Sequence, residues 1–181
     1  MGVILKDHEQ LHDAVGRAVL AGGAGTLATE AWCQPATREL VAARGLRLAT
    51  VPVDERGAVP GGDADVLLLT PAHQFPMGSV LVAERRTRAV ETGALVVEDD
   101  YDGEFRYDRQ PVGALQGMAP GQVVCLGTVS KTLGPGLRLG WMVLPPDLVG
   151  PVADAKLHSD HSTETIGQLA LAELIRSHAY D

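Results

Sequence analysis

Short apolar runs punctuate this chain at residues 2–5, 26–31, 46–53, 65–70, 94–99, 123–128 and 137–145. Most are continuous and rich in Val and Leu rather than alternating with polar residues. A strand buried on both faces reads that way. Between the runs, residues 8–21, 35–44 and 82–92 space their apolar positions at helical intervals, and 146–159 and 164–178 do the same further on. Pro35 suits a first helical turn, and Gly45 and Gly93 fall where a helix end favours glycine. Strand and helix alternate, which predicts an α/β fold: a mostly parallel seven-stranded sheet with helices on both faces. One strand is expected to run against the others. Only eight residues separate 123–128 from 137–145, too few for a parallel crossover. No repeat, low-complexity tract or linker interrupts the series, so residues 1–181 are expected to form a single domain.

Composition narrows the function classes. The 181 residues are 45% hydrophobic and carry a net charge of −8. An acidic chain with no Lys/Arg-rich run argues against a nucleic-acid surface. Two cysteines, Cys33 and Cys125, are too few for a disulfide framework and suit a reducing, cytoplasmic setting. The first ten residues are too short and too soon charged for a signal peptide. No apolar run approaches the roughly 18 residues that span a bilayer.

In open α/β sheets, ligands sit outside the carboxyl ends of the strands. The segments there are PAHQFPMG after 65–70, EDDYDGEFRYD after 94–97, and TVSKTLGPGLR after 123–127. An acidic-aromatic cluster and a lysine–arginine cluster would then share one rim. Lys131 at a strand end, partly desolvated and near the cation Arg138, would lose proton affinity and act as a nucleophile; spacing alone favours a surface lysine in a loop. Asp99 and Asp100 are adjacent and must point to opposite faces. One would face the rim, where it could hold a cationic ring nitrogen, and the other solvent; an acidic loop is the alternative.

The stretches VVEDDYDGEFRYDRQPVGAL and GTVSKTLGPGLRLGW, with VPVDERG at 51–57 and TPAHQFPMGSVL at 70–81, resemble the aminotransferase-like domain of MocR-type (GabR-like, GntR-family) regulators. Those proteins join a winged-helix domain to a fold-type I domain that binds pyridoxal 5'-phosphate. The resemblance covers most of 26–181. It implies the large-domain type of the aminotransferase fold over 1–181, truncated at both ends, without the winged-helix or small C-terminal domain. It further implies that Lys131 forms a Schiff base with the cofactor aldehyde, that Asp99 pairs with the pyridinium nitrogen, and that Tyr101 bonds the ring's phenolic oxygen. Arg138, with Thr128 or Ser130, would hold the phosphate. The expected ligand is an amino acid or amine, with possible amino-group transfer. The expected assembly is a homodimer or a pairing with a completing partner chain.

The chain departs from the family pattern in three places. At the phosphate loop, Lys6 and Asp7 stand where small hydroxyl and glycine residues are expected, and Gln10 remains. Gln34 occupies the position of a stacking tyrosine, with Trp32 as an imperfect substitute. With no small C-terminal domain expected, the arginine that would bind a substrate carboxylate is expected to be missing too. A non-catalytic sensing or interaction module, or a remnant of a longer gene, is therefore the competing expectation. A rival motif, His8-Glu9-x-x-His12, fits the zinc-hydrolase pattern of two ligands one helical turn apart with a glutamate base; a polar helix face explains it as well. The nearest third ligand is Glu30.

Overall fold

The structure is a computed structural model that describes residues 2–5, 8–103, 105, 112–134, 136–160 and 162–180. Its centre is a sheet of seven strands: β1 (Gly2–Leu5), β2 (Thr26–Glu30), β3 (Arg47–Val51), β6 (Val66–Leu69), β7 (Leu95–Asp100), β8 (Val123–Thr128) and β9 (Gly140–Val143). The spatial order is β1-β9-β8-β7-β6-β2-β3. Pairings from β3 through β8 are parallel, and β9 lies antiparallel to both β8 and β1. Only β9 therefore opposes the rest, as the short connection before it requires.

Helices α1 (His8–Ala21), α2 (Pro35–Ala43), α3 (Ala83–Glu91), α4 (Pro146–Asp160) and α5 (Thr165–Arg176) complete the fold. The period of two along the strands sorts their side chains into two cores. One packs Ala14, Val15 and Val19 of α1, Val41 of α2 and Val152 of α4 against Leu27, Val66, Leu68, Val97, Val124, Leu126 and Met142. The other packs Ala89 of α3, Leu81 and Leu115 against Ala28, Leu67, Leu69, Val96 and Val123. Both faces of the central strands are covered, which is why those runs are continuously apolar. Gly45 and Gly93 take φ of 74° and 77° just beyond α2 and α3, the left-handed geometry that ends a helix.

The run 46–53 does not form one strand. Pro52 has no N–H to give a ladder, and the chain leaves the sheet at Val51. Val53–Asp54 (β4) then pairs with Gly57–Ala58 (β5) in a separate hairpin. Asp54 accepts from the Arg56 N–H at 2.8 Å. Arg85 of α3 locks the turn, donating to both Asp54 oxygens at 2.5 and 2.7 Å and to Gly57 O at 2.7 Å. That fork holds the Asp54 carboxyl down at about 2.

Candidate active site

The carboxyl ends of β2, β6, β7 and β8 share one rim of the sheet. A cavity of about 250 Å³ opens there. β7 contributes Asp99 and the following Tyr101, and the chain after β8 contributes Ser130 and Lys131, with Thr128 at the strand end. Thr29, Glu30 and Thr70 form the side toward β2 and β6, and the start of α2 closes it with Gln34 and Thr37. Asp99 is only 7% exposed. The buried Thr128 hydroxyl lies 3.0 Å from Ser130 Oγ and 3.1 Å from Leu139 O, and accepts from the Ser130 N–H at 3.2 Å.

Lys131 stands on this rim and is exposed. Residues 130–133 form a turn after the strand, with Leu133 N–H donating to Val129 O at 2.9 Å. Among the described residues its amine has no hydrogen-bond or ion-pair partner. Arg138 is exposed, with a backbone φ of 48°, and lies outside this cavity.

Glu30, 3% exposed, anchors the neighbouring loop. It accepts from Thr70 N–H at 3.1 Å, Thr70 Oγ1 at 2.6 Å and Gln74 Nε2 at 3.0 Å. Burial pushes its carboxyl up; the Thr70 and Gln74 bonds oppose that shift, and the Asp99 charge adds to it. Gln74, 1% exposed, also reaches Trp32 O and Phe75 O, each at 2.6 Å. The loop is thereby set so that Phe75 lines the cavity. Trp32 is 58% exposed and outside it, so the aromatic wall is Phe75 and not the expected substitute.

The Tyr101 hydroxyl donates to His73 O at 3.0 Å, and its ring stacks on His73 with centroids 6.2 Å apart and planes 24° apart. His73 Nδ1 lies 2.6 Å from Asp102 Oδ2. The phenol is pushed up by burial first, then by Asp102, Asp99, Glu30 and Asp100. Asp100 does face away from Asp99, as the pleat demands, but into a half-buried pocket and not into solvent. It accepts from the Gly103 N–H at 2.9 Å, and burial raises its carboxyl to about 6. On the same face, burial and the adjacent Glu98 push the Cys125 thiol up to about 12, which leaves it unreactive.

Lys6 and Asp7, expected at the phosphate loop, lie outside the described residues, as do the side chains of His8, Glu9, Gln10 and His12 on α1. Among the described residues, no three His, Cys, Asp or Glu side chains are grouped to hold a metal ion. No described helix is long and apolar enough to cross a membrane. Sequence reasoning missed Phe75 as a wall, the Glu30–Thr70–Gln74 network and the His73–Asp102 pair. Each depends on contacts between segments far apart in the chain, which spacing cannot report.

This sheet order, with its single reversed strand and a lysine beyond the strand that precedes it, is that of a fold-type I aminotransferase. A solved kynurenine aminotransferase of Pyrococcus horikoshii, in complex with PMP, superposes with a TM-score of 0.87 at 26% identity, over 99% of this chain and 48% of that one. No family model matches the chain. Among curated proteins, the uncharacterized HTH-type regulator YhdI of Bacillus subtilis (strain 168) is 37% identical over 150 residues, covering 78% of this chain and 32% of the regulator. The probable rhizopine catabolism regulatory protein MocR of Rhizobium meliloti is 35% identical over 140 residues, covering 72% and 28%. The chain is thus an aminotransferase-like domain homologous to those of MocR-type regulators. It spans about a third of the length of these curated relatives.

Proposed function

We propose that residues 1–181 form one large domain of the aminotransferase type that binds pyridoxal 5'-phosphate through a Schiff base at Lys131. The observation that carries this reading is the shared cavity: Asp99, Tyr101, Thr128, Ser130 and Lys131 all line it. The donor set fits the cofactor's chemistry. A buried carboxylate suits a cationic ring nitrogen, an amine with no partner among the described residues suits an aldehyde, and two hydroxyls suit phosphate oxygens. When bound, the cofactor supplies an electron sink for bonds at the carbon bearing the ligand's amino group.

The chain's own residues then have distinct tasks. Asp99, only 7% exposed, would hold the cofactor's ring nitrogen, and Thr128 and Ser130 would hold its phosphate. Phe75 offers an apolar face and excludes water from one side. Tyr101 already gives its hydroxyl proton to His73 O, so it must exchange that bond to donate to a phenolic oxygen. Arg138, exposed and outside the described lining of this cavity, would be a further cation for the phosphate.

The structural relative was solved with PMP, the amino form of the same cofactor, and the curated relatives are named as regulators. Both support a cofactor-loaded domain that reports on an amino acid or amine in the cytoplasm, with amino-group transfer as a further activity. Ligand sensing without turnover is the second reading, favoured by the exposed Arg138 and by Gln34 where a stacking aromatic is expected. Ile166, Leu169 and Ile175 of α5 are 82%, 63% and 53% exposed; a second copy or a completing chain would cover such a face. The test is borohydride reduction of the chain with added pyridoxal phosphate, followed by mass mapping. The expected label is one adduct on Lys131, absent from Lys131→Ala. Equal labelling of that variant refutes the assignment.

A further inference from the structure

Helix α5 touches the segment between β8 and β9, which carries Lys131, near both of its ends. Near its start, Gly167 is buried, and an added Cβ there would lie 3.3 Å from Leu139 Cδ1. Leu139 O in turn accepts from the Val129 N–H and the Thr128 hydroxyl, each at 3.1 Å. Beyond the far end of α5, the Tyr180 hydroxyl lies 3.0 Å from Thr132 Oγ1, on the residue that follows Lys131. Thr132 Oγ1 also donates to Val129 O at 3.2 Å. A hydroxyl has one proton to give. Thr132 commits its proton to the carbonyl, so Tyr180 is the donor to Thr132. The two bonds form a relay from Tyr180 through Thr132 to the end of β8, in which each bond polarises the next.

The chain takes a strained path to make this contact. After α5, the His178 N–H bonds Ile175 O at 3.2 Å and the Ala179 N–H bonds Leu174 O at 3.0 Å, the paired closure of a Schellman helix end. That closure needs a left-handed residue, usually glycine; here it is His178, with φ of 54°. A side chain in that region costs free energy that other contacts must offset. The reversal delivers Tyr180, two residues on, to the Lys131 turn. Bonds within 128–133 set the shape of that turn; the bond from Tyr180 ties it to a separate element. We propose that Tyr180 is a positioning residue for Lys131: through Thr132 it holds the turn so that the amine stays at the rim of the cavity. The inference deepens the cofactor reading and rests on it for what the amine meets there.

The test uses Tyr180→Phe, which removes only the donor hydroxyl, Thr132→Val, which removes the link it uses, and Thr132→Ser, which keeps that link. Affinity for pyridoxal phosphate is read from the visible band and from borohydride trapping on Lys131. Amide hydrogen exchange at 131–133 is read on the chain without cofactor, and thermal melts confirm that the variants fold. Tyr180→Phe and Thr132→Val should each weaken attachment by about three- to tenfold, the worth of one hydrogen bond. The double variant should lose no more than Thr132→Val alone, because both changes break one tie. Thr132→Ser should stay close to wild type. Exchange of the Leu133 N–H should quicken in Tyr180→Phe while exchange in β8 does not change. Wild-type affinity in Tyr180→Phe, additive losses in the double variant, or a Ser variant as weak as Val overturns the inference, and trapping on Lys131 then leaves the cofactor reading standing. No trapped adduct in wild type removes the cofactor reading, and exchange then decides the tie alone: quickened in Tyr180→Phe it upholds the tie, unchanged it overturns it.

Discussion

Glu98 sits one residue before Asp99 and faces the opposite side of the sheet, where it is 3% exposed. Its two oxygens accept from the backbone N–H groups of Leu115 at 2.8 Å and Gln116 at 3.1 Å. Leu115, itself fully buried, begins the short 3-10 turn Leu115–Gly117. The carboxylate thereby ties the chain returning from the site to the strand that carries Asp99 and Tyr101. It also offsets part of the burial cost of Arg86, whose guanidinium is pushed down by desolvation and supported by the Glu98 charge. Glu98→Ala removes both acceptors at once. A buried unsatisfied donor costs about 1–3 kcal/mol, and bonds to a charged group are at the upper end. The Leu115 N–H is buried and bears the full cost; the Gln116 N–H is half-buried and recovers part of it from water. The sum is about 3 kcal/mol, with a further contribution from Arg86 left beside no charge. Urea unfolding of wild type, Glu98→Ala and Glu98→Gln measures it. The expected order of stability is wild type, then Gln, which keeps one acceptor, then Ala. A Glu98→Ala loss below about 1 kcal/mol, within the span of ordinary surface substitutions and weak bonds, would refute the anchoring argument.

Two further outcomes are expected. Asp100 has a folded-state value of about 6, above the ordinary carboxylate range because of burial; the folded state therefore binds more protons than the unfolded one between roughly pH 4 and 6, and this group's contribution falls as pH rises through that window. Asp100→Asn should raise the urea midpoint at pH 7.5, the gain should vanish near pH 4, and a gain independent of pH would contradict the assignment. At Gly127, an added Cβ would lie 2.5–2.7 Å from the Trp141 ring, so Gly127→Ala should displace that indole, cost about 1–3 kcal/mol as overpacking does, and alter the near-UV circular dichroism; an unchanged spectrum would show that the contact is not needed.

How far residue order alone discloses this molecule depends on the range of each interaction. The buried strands were legible because a sheet covered on both faces demands unbroken apolar runs, and 65–70 and 123–128 supply them. The reversal of β9 was legible because eight residues cannot make a parallel crossover. The hairpin at 53–58 was not, since it depends on Pro52 ending a ladder and on Arg85 reaching back from α3 to lock Asp54. At the rim, the strand-end rule put the Asp99–Tyr101 and Lys131 segments together and physics suggested tasks for Lys131 and an inward Asp, while Tyr101's task and the cofactor came only with the resemblance. The pleat separated Asp99 from Asp100 but could not tell that Asp100 would face a half-buried pocket. The same limit explains Lys131. Its adjacency to an apolar strand suggested desolvation, and on the turn over 130–133 it is exposed at the rim of the cavity. That exposure bears on function. An amine left in water keeps its hydration until a ligand fills the cavity, so partial desolvation of Lys131 is an event of binding and not a property of the chain alone.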